Sequence, residues 1–156
     1  MTQNITSWIM TLSLFFGAMT LKTAQRQRLR QWETLYVQRY WSLMDKLSLP
    51  ALRGDPSTDV EEGDQRVARA YLRLCEDQLE LREQGWITNT TWRVWSTGME
   101  LQLRRWPFNV VWAEVRDADT HEFTLLRRLE QTAGWDPCEM SRVRRYLVGV
   151  GGRRSI

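Results

Sequence analysis

Glu76, Glu80 and Glu83 recur at steps of four and three, the spacing at which carboxylates on one helical face can converge on a metal ion. Arg69 and Arg73 fall on the same face, so the mixture reads as a solvated charged surface. His121 is the single histidine. Neither a two-histidine zinc site nor a pair of Glu-x-x-His motifs can then be built within one chain. Cys75 and Cys138 are too few for a disulfide framework and read as small core hydrophobes. Cys138 with His121 would supply a nucleophile and a base, but nothing in their flanks supports that pairing. Gly149, Gly151, Gly152 and Arg153 evoke a phosphate loop that lacks the Gly-Lys-Ser/Thr ending and a following helix. These residues nominate no catalytic, cofactor-binding or metal-binding group. The expectation is a protein that is not an enzyme and uses no cofactor.

Two other features ask for explanation. Gln78 and Arg82 intrude on an otherwise apolar helical arc, where an unpaired guanidinium is costly to bury. Arg82 stands near the end of its helix, so it is expected to reach solvent or cap carbonyls there; the rival is a buried polar contact that fixes the packing. Trp86, Trp92, Trp95 and Trp106 put more indole into one stretch than a single core face needs. Core packing accounts for most of it, and a partner groove or a membrane-interface patch is the further use for such a cluster.

The elements that carry these residues are helical throughout. Leu29, Trp32, Tyr36, Tyr40, Leu43 and Leu47 step by three and four through the first of them. Ser48–Gly63, with Pro50 and Pro56, reads as an exposed linker. In 64–84, Val67, Tyr71, Leu72, Leu74, Cys75, Leu79 and Leu81 share a wide arc, which belongs in the middle of a bundle, and Gly85 supplies a left-handed stop. Thr88 or Asn89 caps a helix whose stripe runs Trp92, Trp95, Met99, Leu103 and Trp106 until Pro107 breaks it. Pro107 suits the first turn of a short helix with Phe108, Val111, Trp112 and Val115 on one face. Asp119 and Glu122 have capping-box spacing ahead of Phe123, Leu125, Leu126 and Leu129. Asp136, Pro137 and Glu139 repeat that start signal before a last helix using Met140, Val143 and Leu147. No strand alternation or internal repeat is present. The fold class is all-α, a bundle of about five helices over 64–148 with a flexible tail at 149–156.

The N-terminus carries a different message. Ile5–Leu21 is an uncharged run of 17 residues, about 25 Å of helix, at the short limit for a bilayer span. Ile5, Trp8, Ile9, Leu12, Leu14, Phe15, Phe16 and Leu21 surround it with apolar side chains, and Lys22, Arg26, Arg28 and Arg30 follow at once as a membrane-surface cluster. The start, MTQN, lacks the basic residues of a signal peptide. The expectation is an uncleaved single-pass anchor over 1–21 in the inner (plasma) membrane of a bacterium, N-terminus out and domain cytoplasmic. Residues 22–47 then continue the same helix as a juxtamembrane extension, about 65 Å in all.

Composition bounds the partners. The 22 basic residues stand against 19 acidic ones for a net charge of +3. A balance so mixed describes no clustered nucleic-acid face. Arg142, Arg144, Arg145, Arg153 and Arg154 make a local positive excess near the C-terminus that anionic lipid could attract.

The stretch YLRLCEDQLELREQGWITNTTWRVWSTGM, Tyr71–Met99, with LRRWPFNVVW after it, resembles a family of uncharacterised bacterial proteins with a short N-terminal anchor followed by a helical domain. That resemblance implies fold and location and no chemistry. The leading expectation is a membrane-anchored helical module that binds lipid and either another protein or its own copy. The alternative is a membrane-tethered nucleic-acid or effector-binding module of a phage-related or defence system.

Overall fold

The computed structural model describes residues 20, 23–24, 27–56, 59–118, 121–132, 134–147 and 150. Among them the chain forms seven α-helices and no strand, in agreement with the all-α expectation. They are α1 (27–44), α2 (Leu49–Arg53), α3 (Glu62–Glu83), α4 (Asn89–Leu103), α5 (Phe108–Asp117), α6 (Thr124–Gln131) and α7 (Arg142–Leu147).

Helix α3 is the axis of the bundle. Val67, Ala68, Tyr71, Leu72, Leu74, Cys75 and Leu79 are buried along it, and α5 and α6 pack on it directly. Its arc is wider than one stripe because it meets neighbours on several sides. Gly85, at φ 75°, ends it. The Gly85 amide donates to the Arg82 carbonyl and the Trp86 amide to the Leu81 carbonyl, the paired closure that needs a left-handed residue between them.

Leu29, Tyr36, Met44 and Leu47 bring α1 and the turn after it into the core. Tyr40 meets the Tyr71 ring edge-on at 6.1 Å, and Trp32 meets Trp86 at 5.8 Å. Pro107 separates α4 from α5, and Phe108 and Val111 beyond it are fully buried. Removing a side chain such as Leu79 or Phe108 would cost about 2–5 kcal/mol through lost burial and the cavity left behind.

Several boundaries differ from the sequence reading, each for a physical reason. The stretch 48–63 holds helix α2, capped by Ser48 and closed by Gly54 at φ 74°, with Ala51 buried. Helix α6 begins at Thr124, after Phe123 in the left-handed region at φ 60°. Its first amides are bound by a residue of α3, so the local Asp119–Glu122 box is not what starts it; Asp119 itself lies outside the described residues. Asp136 is engaged elsewhere, and α7 starts later, with Ser141 Oγ accepting from the Arg144 amide.

The expected single-pass location must be corrected. Among the described residues, no helix is long and apolar enough to cross a membrane. The membrane-span residues Ile5, Trp8, Ile9, Leu12, Leu14, Phe15, Phe16 and Leu21, with Lys22 and Arg26, lie outside the described residues. Near the start of the described helix Arg28 and Arg30 are exposed on either side of buried Leu29, as suits a helix with one face on a bundle.

Candidate functional site

Arg82 is 1 % exposed, and every arm of its guanidinium is engaged. Nε and Nη2 donate to the two carboxylate oxygens of Asp136 at 2.8 and 2.7 Å. Nη1 donates to the Ile87 carbonyl and Nη2 also to Asn89 Oδ1, both at 2.7 Å. The Trp92 ring lies 5.8 Å from its carbon centre. This planar fork is the geometry in which a buried arginine is compensated. Asp136 also accepts from the Cys138 amide at 3.0 Å and from Arg145 Nη1 at 3.1 Å. Burial pushes the Asp136 carboxyl upward, but the bond from Arg82, the Cys138 amide and the two cations outweigh it and hold the group below its ordinary value. Arg145 further donates to the Met140 and Cys138 carbonyls. The Arg82 cluster thus binds the segment around Asp136 to the ends of α3 and α4. Far from reaching solvent, Arg82 is the buried polar contact of the rival reading, and the Ile87 carbonyl is one of its partners.

Three more carboxylates act on the ends of other elements. Glu76 of α3 accepts from the Leu125 and Leu126 amides, each at 2.9 Å, and so caps α6. Glu33 of α1 accepts from the Thr88 amide and hydroxyl at 3.1 and 2.9 Å, where α4 begins. Buried Asp64 accepts from the Ser48 amide and hydroxyl at 2.8 and 2.6 Å, where α2 begins. Of the acidic face proposed from spacing, Glu80 and Glu83 are exposed and Glu76 is engaged. Among the described residues no group of three or more His, Cys, Asp or Glu could hold a metal. His121 is exposed and Cys138 buried. Burial pushes the Cys75 thiol up to about 12, so it stays protonated at neutral pH despite a bond with Tyr71 that works the other way.

Between α1, α3 and α4 lies a cleft of about 170 Å³, walled by Tyr36, Tyr40, Tyr71, Trp95 and Met99. Val37, Val94 and Gly98 complete its lining, and its polar member is Gln78. Burial first, then Asp77, raises the Tyr36 hydroxyl, and burial raises Tyr71 further, so both phenols are neutral. Beside the cleft, α4 presents a second stripe. Val94 and Leu101 are 67 % and 63 % exposed, with exposed Thr97 and Gly98 between them. On α1, Val37 and Trp41 are 41 % and 59 % exposed.

The four tryptophans singled out by their density divide between these regions. Trp92 and Trp106 are buried in the core, Trp86 is half-buried against Trp32, and Trp95 stands in the cleft wall. The outward apolar residues of α4 are instead aliphatic, Val94 and Leu101. Their signal was the second i, i+3, i+4, i+7 set of α4, which the heavier tryptophan stripe overshadows. No family model, curated protein or solved structure matches the chain.

Proposed function

We propose that this chain is a helical protein-interaction module without catalysis, and that its partner packs along the outer stripe of α4. The observation that carries this reading is the two-sided character of that helix. Trp92 and Met99 point into the core, yet Val94, Thr97, Gly98 and Leu101 repeat the helix-packing spacing on the side facing solvent. Leu101 and Val94 are each about two-thirds exposed, and exposed Val37 and Trp41 on α1 broaden the apolar area. Single exposed hydrophobes need no explanation, whereas a ridge of them with a small residue at its centre is the surface an amphipathic helix reads. The polar clusters support the absence of catalysis in the proposal, because Arg82, Asp136 and Glu76 are engaged in bonds that hold the fold together.

A photo-crosslinking amino acid placed at position 94, 101 or, as control, 66 tests the reading in cells expressing the full chain. Arg66 lies on the exposed side of α3, its side chain 75 % accessible. Adducts of one defined mass at 94 and 101, absent at 66, are the expected result. Adducts at all three positions, or at none, would overturn the proposal.

A further inference from the structure

We propose that the cleft between α1, α3 and α4 binds an uncharged, flat molecule of one or two fused rings, whose edge carries a hydrogen-bond donor beside an acceptor. The donor and acceptor are set by Gln78. This side chain lines the cleft and is 7 % exposed, and its amide makes no hydrogen bond to another of the described residues. The buried side-chain polar atoms without a partner among the described residues are Trp106 Nε1 and Trp112 Nε1, so the Gln78 amide keeps contact with solvent and is free to bond a ligand in exchange. In the lining of the cleft its primary carboxamide offers one donor and one acceptor side by side. The complementary edge is that of a lactam or an amino-substituted ring nitrogen.

The flat ring follows from the walls. Tyr36, Tyr40, Tyr71 and Trp95 supply four aromatic side chains, and Met99 adds a polarisable sulfur. None of the described residues that line the cleft is charged, so an ionic ligand would lose its hydration without a counter-charge. At about 170 Å³ the space is well below the roughly 300–1,000 Å³ of sites for drug-sized ligands. One or two rings fill it. The exposed rim at Val37, Val94 and Gly98 leaves the entrance open.

The probe is 2-quinolone, whose ring N–H and carbonyl stand side by side, with naphthalene as the same shape without the polar edge. Binding to the full chain is followed by NMR at the Gln78 amide, the Trp95 indole N–H and the Gly98 amide. Saturable shifts at these three signals are expected for 2-quinolone. Gln78→Met, close in size and without the amide, should then move the quinolone-to-naphthalene affinity ratio about tenfold or more toward naphthalene. Shifts that do not saturate, or a ratio unchanged by the substitution, would overturn the assignment. Should Gln78→Met fail to fold, 1-methyl-2-quinolone on the unsubstituted chain gives the same answer: loss of the donor should weaken binding severalfold, and equal affinity would refute the proposal. Crosslinking at 101, which does not line the cleft, reads the outer stripe separately, so either inference can fail alone.

Discussion

Asp136→Asn should destabilise the protein more than Arg82→Met, although it is the smaller change and the more exposed site. The asymmetry follows from what each substitution leaves behind. In Asp136→Asn the guanidinium of Arg82 keeps its bonds to Ile87 and Asn89 but loses its counter-charge while 1 % exposed. An uncompensated buried charge of this kind costs about 3–5 kcal/mol, a large share of the roughly 5–15 kcal/mol that holds a domain folded. In Arg82→Met the Asp136 side chain, 28 % exposed, still accepts from Arg145 and the Cys138 amide. The loss is then the unmet buried Ile87 carbonyl, about 1–3 kcal/mol, while half-buried Asn89 can turn to water. With Arg82 already replaced, Asp136→Asn leaves no stranded cation, so the double variant should fall at least about 1 kcal/mol short of the summed single effects. Urea unfolding of the four proteins at pH 7 measures this. A smaller loss for Asp136→Asn than for Arg82→Met, or additivity within about 0.5 kcal/mol, would refute the reasoning. Acid supplies a second readout. The folded Asp136 carboxyl lies below its ordinary value, so its contribution is complete above the unfolded pKa, near 3.9, and is lost as pH falls through the folded one. Wild type should therefore lose stability below about pH 4 more steeply than Asp136→Asn does.

Glu76→Ala removes the cap of α6 and should cost about 1–2 kcal/mol, with faster hydrogen exchange at the Leu125 and Leu126 amides, while exposed Glu80→Ala should stay within about 0.5 kcal/mol. Ser48→Ala removes the hydroxyl that donates to buried Asp64 Oδ2, leaves the amide bond to Oδ1, and should lower the melting temperature by about 2–6 °C in a thermal scan, more than Ser42→Ala on exposed α1 surface. Gly85→Ala places a Cβ at φ 75° and against the Met140 side chain, so a loss above about 1 kcal/mol in urea unfolding is expected, larger than for Gly98→Ala, whose Cβ meets open space. Val94→Glu with Leu101→Glu should leave the urea midpoint nearly unchanged and abolish crosslinking from position 97, because both side chains are exposed.

How much of this was legible in the residues depended on distance along the chain. The arc of α3, the Gly85 stop, the Thr88 cap and the break at Pro107 each rest on neighbours within a turn or two, and all four stand where the local rules put them. The start of α6 does not. Asp119 and Glu122 offered a correct local box, but an acceptor from Glu76, 49 residues away from Leu125, takes the amides instead. Arg82 shows the same limit: the apolar arc revealed that something had to compensate it, while Asp136, 54 residues on, carried no mark of being the partner. The cleft was legible as an anomaly only, in Gln78 among apolar neighbours. The N-terminal run misled on location because uncharged length was weighed without any element to test it against.

The carboxylates share a task that accounts for these failures. Helices α2 and α6 have 5 and 8 residues, too short to hold together in isolation, where nucleation is unfavourable below about 12–15 residues. Their stability must come from tertiary contacts. Asp64 and Glu76, both on α3, each reach the opening turn of such a helix, the first through Ser48 and the second through two backbone amides. Glu33 on α1 does the same for α4 through Thr88. The positive end of each helix dipole thus receives an anion from a longer helix that can form first. A local capping motif would let the short helices form in any arrangement. A remote carboxylate stabilises them only when docked, so helix formation and assembly of the bundle become one event, and Phe123 can be held at φ 60° because the Glu76 bonds and the Trp112 ring beside it define its place.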